Sequence, residues 1–129
     1  MKNLFKYYLL ILALGGIMFT GCRKTKEASL SGTYTRMMQY GGISYNVELQ
    51  FADDGTFSWS PVDSIPGHTP STAKYEKKND NQIRIYDDVD CGTEATYSYT
   101  VTSDNLTLTA DTDDCTPRVI ALTGLWSRK

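Results

Sequence analysis

The chain has 129 residues, 40% of them hydrophobic and 22% charged, and carries a formal net charge of −2. That length suits one small domain, and a slightly acidic balance gives no basic footprint for nucleic acid. One histidine and three cysteines leave few nucleophile–base pairs or metal-ligand sets to choose from.

The chain opens on Met1, Lys2, Asn3 and Lys6, a short basic region, followed by the uncharged run YYLLILALGGIMFT at 7–20. A bilayer-spanning helix needs about 20 apolar residues. A shorter run with Gly15 and Gly16 at its centre reads instead as the apolar core of a signal peptide. The alternative, a buried helix with a core thiol at Cys22, is weakened by those glycines and by the lack of amphipathic spacing. The run closes on Phe19-Thr20-Gly21-Cys22, which resembles a bacterial lipobox. That resemblance implies cleavage before Cys22 and attachment of diacylglycerol to its thiol, with 1–21 as signal peptide and 22–29 as lipidated cysteine and tether. Several acyl chains anchor stably where one is marginal. Lys2 and Lys6 leave with the signal, so Lys+Arg falls from 13 to 11 against 15 acids and the mature charge is 11 − 15 = −4. RKTKE at 23–27 is a basic tether, read either as a solvated linker or as a contact for anionic headgroups.

Beyond the tether no long segment shows helical periodicity, and alternation dominates. In ISYNVELQF, 43–51, Ile43, Tyr45, Val47, Leu49 and Phe51 face one way and polar residues the other. TEATYSYTVT, 93–102, repeats the pattern with Ala95, Tyr97, Tyr99 and Val101. Turn chemistry divides the rest: Gly41-Gly42, ADDG at 52–55, the proline-rich 61–72, NDN at 79–81, DVDCG at 88–92, SDN at 103–105 and DTDDCTP at 111–117. The predicted strands are 31–39, 43–51, 56–60, 72–78, 82–87, 93–102, 106–110 and RVIAL at 118–122, with TGLWSRK as a tail. Eight short strands joined as simple neighbours predict an all-β fold, an eight-stranded antiparallel up-and-down barrel over 30–129.

In such a meander alternate connections lie at one end. Cys91 falls in the fifth and Cys115 in the seventh, so both belong to the same end. An exported chain matures in an oxidising compartment, where an even pair reads as a disulfide. Closing that loop is worth roughly 3–4 kcal/mol in the chain-entropy picture. A two-cysteine metal site is the weaker alternative, because there is no CxxC spacing and His68 lies in the proline-rich loop. The even-numbered turns are tight and both chain ends fall beside them. The lipid is therefore expected at the tight end, with the long acidic loops pointing away from the membrane.

LSGTYTR at 30–36, LQFADDGTFSW at 49–59, YSYTVTSDNLTLT at 97–109 and LTGLWSRK at 122–129 resemble the lipocalin-like lipoproteins common in Bacteroidetes, over nearly the whole mature chain. Lipocalins carry a Gly-x-Trp in the first strand and an arginine over its ring from the last. Gly32-Thr33-Tyr34 stands at the first position, and Arg128 suits the second as a cation–π partner of Tyr34. The resemblance implies a calyx for a small apolar or amphipathic ligand. By alternation its inner face carries Tyr34, Arg36, Tyr45, Phe57, Trp59, Tyr75, Tyr97 and Tyr99, and of these Tyr34, Arg36, Tyr45, Trp59, Tyr75, Tyr97 and Tyr99 are the expected ligand-binding residues. The alternative is a barrel filled by its own side chains, meeting an envelope protein or glycan through loops 61–72, 88–92 and 111–117.

Nothing in the sequence assembles a catalytic site: Ser58, Ser60 and Ser98 fall on outer faces, and His68 in PGHTP reads as a loop residue. No cofactor is expected. Asp87, Asp88, Asp90, Asp111, Asp113 and Asp114 are drawn towards one rim, yet their spacing matches no calcium loop, so they read as solvated turns and no metal is expected. As a lipoprotein the chain would sit in the cell envelope. In a Gram-negative host Arg23, in place of the inner-membrane retention aspartate of enteric bacteria, points to the outer membrane. RKTKE, without the acidic residues that surface-exposed Bacteroidetes lipoproteins carry just after the cysteine, points to its periplasmic leaflet.

Overall fold

The computed structural model describes residues 28–129. The lipobox, the signal peptide of 1–21 and Cys22 itself lie outside the described residues. Eight strands follow in chain order: β1 (Gly32–Tyr40), β2 (Ile43–Phe51), β3 (Thr56–Pro61), β4 (Ser71–Asn79), β5 (Gln82–Tyr86), β6 (Ala95–Val101), β7 (Asn105–Thr112) and β8 (Gly124–Arg128). Each pairs antiparallel with its neighbours and β8 pairs back onto β1, closing an up-and-down barrel with no open edge. Alternation drives this. Tyr45, Val47, Leu49 and Phe51 on β2, Ile83 and Ile85 on β5, Ala95, Tyr97 and Tyr99 on β6, and Leu106 and Leu108 on β7 are all buried in one core.

The expected eighth strand is corrected. RVIAL belongs to a short helix, α1 (Thr116–Leu122), and the tail supplies β8 instead. Pro117 sits in the first turn of α1, where its missing N–H and fixed φ are tolerated. Arg118 and Leu122, four residues apart, are the two buried residues of the helix, as one helical face requires. The strand count survives because the tail replaces the lost strand.

Strand parity also survives. Gly32 pairs with Phe51 and Tyr34 with Arg128, so both ends of the described residues lie beside the tight 52–55 turn. Cys91 and Cys115 meet at the opposite, open end in a disulfide with a Cα–Cα distance of 5.8 Å.

The seam that closes the barrel uses one pattern twice. GTYTR at 32–36 and GLWSR at 124–128 both read Gly-x-aromatic-x-Arg. Because Tyr34 pairs with Arg128, continuing the register sets Arg36 opposite Trp126. Arg128 lies over the Tyr34 ring at 4.9 Å, as the sequence suggested, and Arg36 over Trp126 at 4.2 Å. Gly32 and Gly124 take φ of +147° and +125°, and a Cβ on them would stand 2.7 Å from Arg128 Nη1 and 2.9 Å from Arg36 Nη1. Each strand thus presents an aromatic ring for the other's arginine and a glycine that leaves it room.

Candidate functional site: a cavity at the open end

Between β1–β4, the 62–70 loop, the 87–94 loop and α1, the open end of the barrel holds a cavity of about 770 Å³. That lies within the range of small-molecule sites, about 300–1,000 Å³. Its walls are mainly apolar: Met38, Tyr45, Phe57 and Trp59 from the strands, and Ile120 and Leu122 from α1. Ser71, Asp88, Asp90 and Arg118 supply polar groups, and exposed Gln39, Tyr40 and Thr69 carry the cavity out to the surface. His68 lies against two rings, 4.8 Å from Tyr40 and 5.2 Å from Tyr45 between centroids, and forms part of the wall.

Helix α1 is held in place from both ends. At its C-terminus the carbonyl oxygens of Ile120, Ala121 and Thr123 accept hydrogen bonds from the Arg36 guanidinium at 3.1, 2.6 and 2.7 Å. This satisfies carbonyls that lack partners within the helix and sets a positive charge at the negative end of its dipole. Near its N-terminus Arg118, 5% exposed, donates through Nη1 to Asp88 at 2.8 Å and through Nη2 to Asp113 at 2.7 Å. Arg118 Nε also donates to Asp113, and Nη1 to the carbonyl of Thr93 at 2.9 Å. The Tyr97 hydroxyl donates to Asp113 at 2.5 Å. The disulfide ties the same two segments covalently.

Burial and pairing set the protonation of this cluster. Burial opposes the charge on Arg118, but hydrogen bonds and attraction from Asp113 and Asp88 outweigh it and raise its pKa. Burial likewise works against ionised Asp113, yet hydrogen bonds from Arg118, Tyr97 and the Cys115 N–H hold it below the usual carboxylate range. Burial first, then the Asp113 carboxylate, pushes the Tyr97 hydroxyl up, so it stays a donor. The acidic rim residues are therefore not equivalent. Asp88 and Asp113 are structural partners of Arg118, while Asp111 accepts from Gln82 and Ser98.

The residues expected to bind a ligand divide in two. Tyr45 and Trp59 line the cavity, as does Phe57. Tyr34 is buried at the tight end, its hydroxyl donating to the Leu30 carbonyl at 2.7 Å, and Tyr75 donates to that of Ala52, also at 2.7 Å. Tyr99 is buried in the core beside the 79–81 turn, Tyr97 serves the Arg118 cluster, and Arg36 serves α1 and Trp126. Sequence reasoning missed Met38, His68, Asp88, Arg118, Ile120 and Leu122 as cavity residues. For the α1 residues a signal was present: Pro117 followed by Arg118 and Leu122 at helical spacing. For His68 there was none, since loop packing has no periodicity to read. No protein-family model, curated protein or solved structure matches the chain.

Proposed function

We propose that this protein is a lipid-anchored, lipocalin-like protein of the cell envelope that binds a small apolar or amphipathic molecule at the end of the barrel remote from its anchor. The observation that carries the reading is the cavity of about 770 Å³, walled by Tyr45, Phe57, Trp59, Met38 and Leu122 and open to the surface. A barrel filled by its own side chains would leave no such space. The lipobox-like FTGC supports the anchor. The entry of the chain beside the 52–55 turn supports its placement at the tight end. Native mass spectrometry of the full-length protein extracted from the envelope tests both parts. The expected mass is that of 22–129 with acyl chains on Cys22, plus a bound species lost on denaturation. An unacylated mass removes the anchor. A bare protein that takes up nothing from an envelope lipid extract removes the cargo.

One observation favours a second reading, docking of an envelope partner on the rim. Tyr40, Ile43, Val62, Val89 and Ile120 stand between 55% and 86% exposed at the open end. Large exposed apolar side chains gathered at one end of a domain suit an interaction site. Crosslinking from Val89 in intact envelopes would capture one defined protein under this reading and none under the first.

A further inference from the structure

We propose that the open-end cavity selects a cationic amphiphile, an organic ammonium head on an apolar body. This rests on the reading of the cavity as a ligand site and adds the charge of its occupant.

The formal charges in the cavity wall are Asp88, Asp90 and Arg118. Arg118 is the obvious anchor for an anionic head, but it has nothing left to offer. A guanidinium carries five N–H donors. Nε donates to Asp113, Nη1 to Asp88 and the Thr93 carbonyl, and Nη2 to Asp113 and the Thr93 hydroxyl. Its single charge is shared between two buried carboxylates, so the cluster of Arg118, Asp88 and Asp113 carries a net −1 before Asp90 is counted. Asp90 is exposed and, like Asp63 and Asp114, enters no ion pair among the described residues.

The surrounding loops reinforce that sign. Segments 62–70, 87–94 and 113–123 together hold seven acids; Asp88 and Asp113 pair with Arg118, Asp87 with Lys74 and Glu94 with Arg84, which leaves Asp63, Asp90 and Asp114 as the acids without an ion pair among the described residues. The remaining nearby cations are committed elsewhere. Arg36 donates to the carbonyls at the end of α1, and Lys74 pairs with Asp87 on the outside. A cleft whose net charge is of one sign, with low-dielectric walls, concentrates ligands of the opposite sign. Its aromatic walls, Tyr45, Phe57 and Trp59, add to this, because ring quadrupoles attract ammonium groups and apolar bodies alike. An anionic amphiphile meets Asp90 and finds no free donor on Arg118.

The test uses three probes that share a body and differ in the head: 4-phenylbutylammonium, 4-phenylbutanol and 4-phenylbutanoate. Each is titrated against the full-length protein in zwitterionic lipid nanodiscs, with empty nanodiscs as reference, by tryptophan fluorescence and calorimetry. The ammonium is expected to bind about tenfold more tightly than the alcohol and the carboxylate weakest of the three, with the ammonium's advantage shrinking in salt. Asp90→Asn, nearly isosteric, should narrow the ammonium's advantage over the alcohol severalfold, and an unchanged ratio overturns the charge selection. Equal binding of the three, or preference for the carboxylate, overturns the charge selection and leaves the ligand cavity standing. Binding of none overturns the cavity reading itself.

Discussion

At the tight end of the barrel, Tyr34 and Tyr75 turn inward and spend their hydroxyls on the backbone of Leu30 and Ala52, and Leu30 itself is buried as a plug. Toward the open end Tyr45 and Trp59 occupy the same kind of inward position yet border the cavity, which reaches down to Phe57, paired with Phe51 beside the 52–55 turn. The strands and their alternation are common to both ends. What differs is the chain that crosses each end. Short turns at 52–55, 79–81 and 102–104 bring neighbouring strands together, whereas the 62–70 loop, the 87–94 loop and α1 hold them apart around a volume their own side chains do not fill. An inward-facing aromatic ring is therefore core or cavity wall according to the length and fastening of the loops above it.

The fastening is where this contrast breaks most easily. Replacing Arg118 by methionine leaves Asp88 and Asp113 buried without their cation, and urea unfolding should show a loss of about 3–5 kcal/mol. The same cluster predicts an acid response. Asp113 titrates lower in the folded state than in the unfolded chain. Its contribution is thus complete above the ordinary aspartate pKa of about 3.9 and fades as pH falls through its lower folded value. Unfolding measured from pH 5 downward should show that loss, and Asp113→Asn should show less of it.

Removing the disulfide by Cys91→Ser with Cys115→Ser should lower stability by about 3–4 kcal/mol. Amide exchange should rise in 87–94 and 113–123 and stay unchanged at 52–55 and 79–81. Uniform acceleration at both ends would dissolve the distinction between them. At the seam, Gly124→Ala forces a side chain into a backbone region with φ of +125° and against Arg36 Nη1. About 1–3 kcal/mol is expected, together with weaker hold on α1. Gly32→Ala should match it energetically without touching the cavity, since its neighbour is Arg128 at the tight end. The smallest effect is reserved for Arg84→Ala. Its pairs with Glu76 and Glu94 lie on the solvated outer face, where such contacts are worth under about 1 kcal/mol.

Much of the barrel was legible in the chain. Period-2 alternation in 43–51 and 93–102 states which side chains point inward, and turn residues mark where strands reverse. Strand parity then places Cys91 with Cys115, and the lipocalin-like pattern suggests Arg128 over Tyr34. Residues 118–122 misled because Val119 and Ile120 suit a strand, while the helix depends on partners far away: Asp88, 30 residues back from Arg118, and Arg36, 84 back from Ile120. Their pairing exists only once the barrel has closed.

The sequence alone determined the all-β architecture, seven of the eight strands, the disulfide and the end at which the chain enters, because these follow from periodicity and connection order, which are local. Tertiary structure alone decided that RVIAL coils, that GLWSR closes the barrel, and that the open end keeps a cavity. Alternation tells which way a side chain points. It does not tell how much room lies beyond its tip, which is set by the loops and ion pairs that meet there from distant parts of the chain.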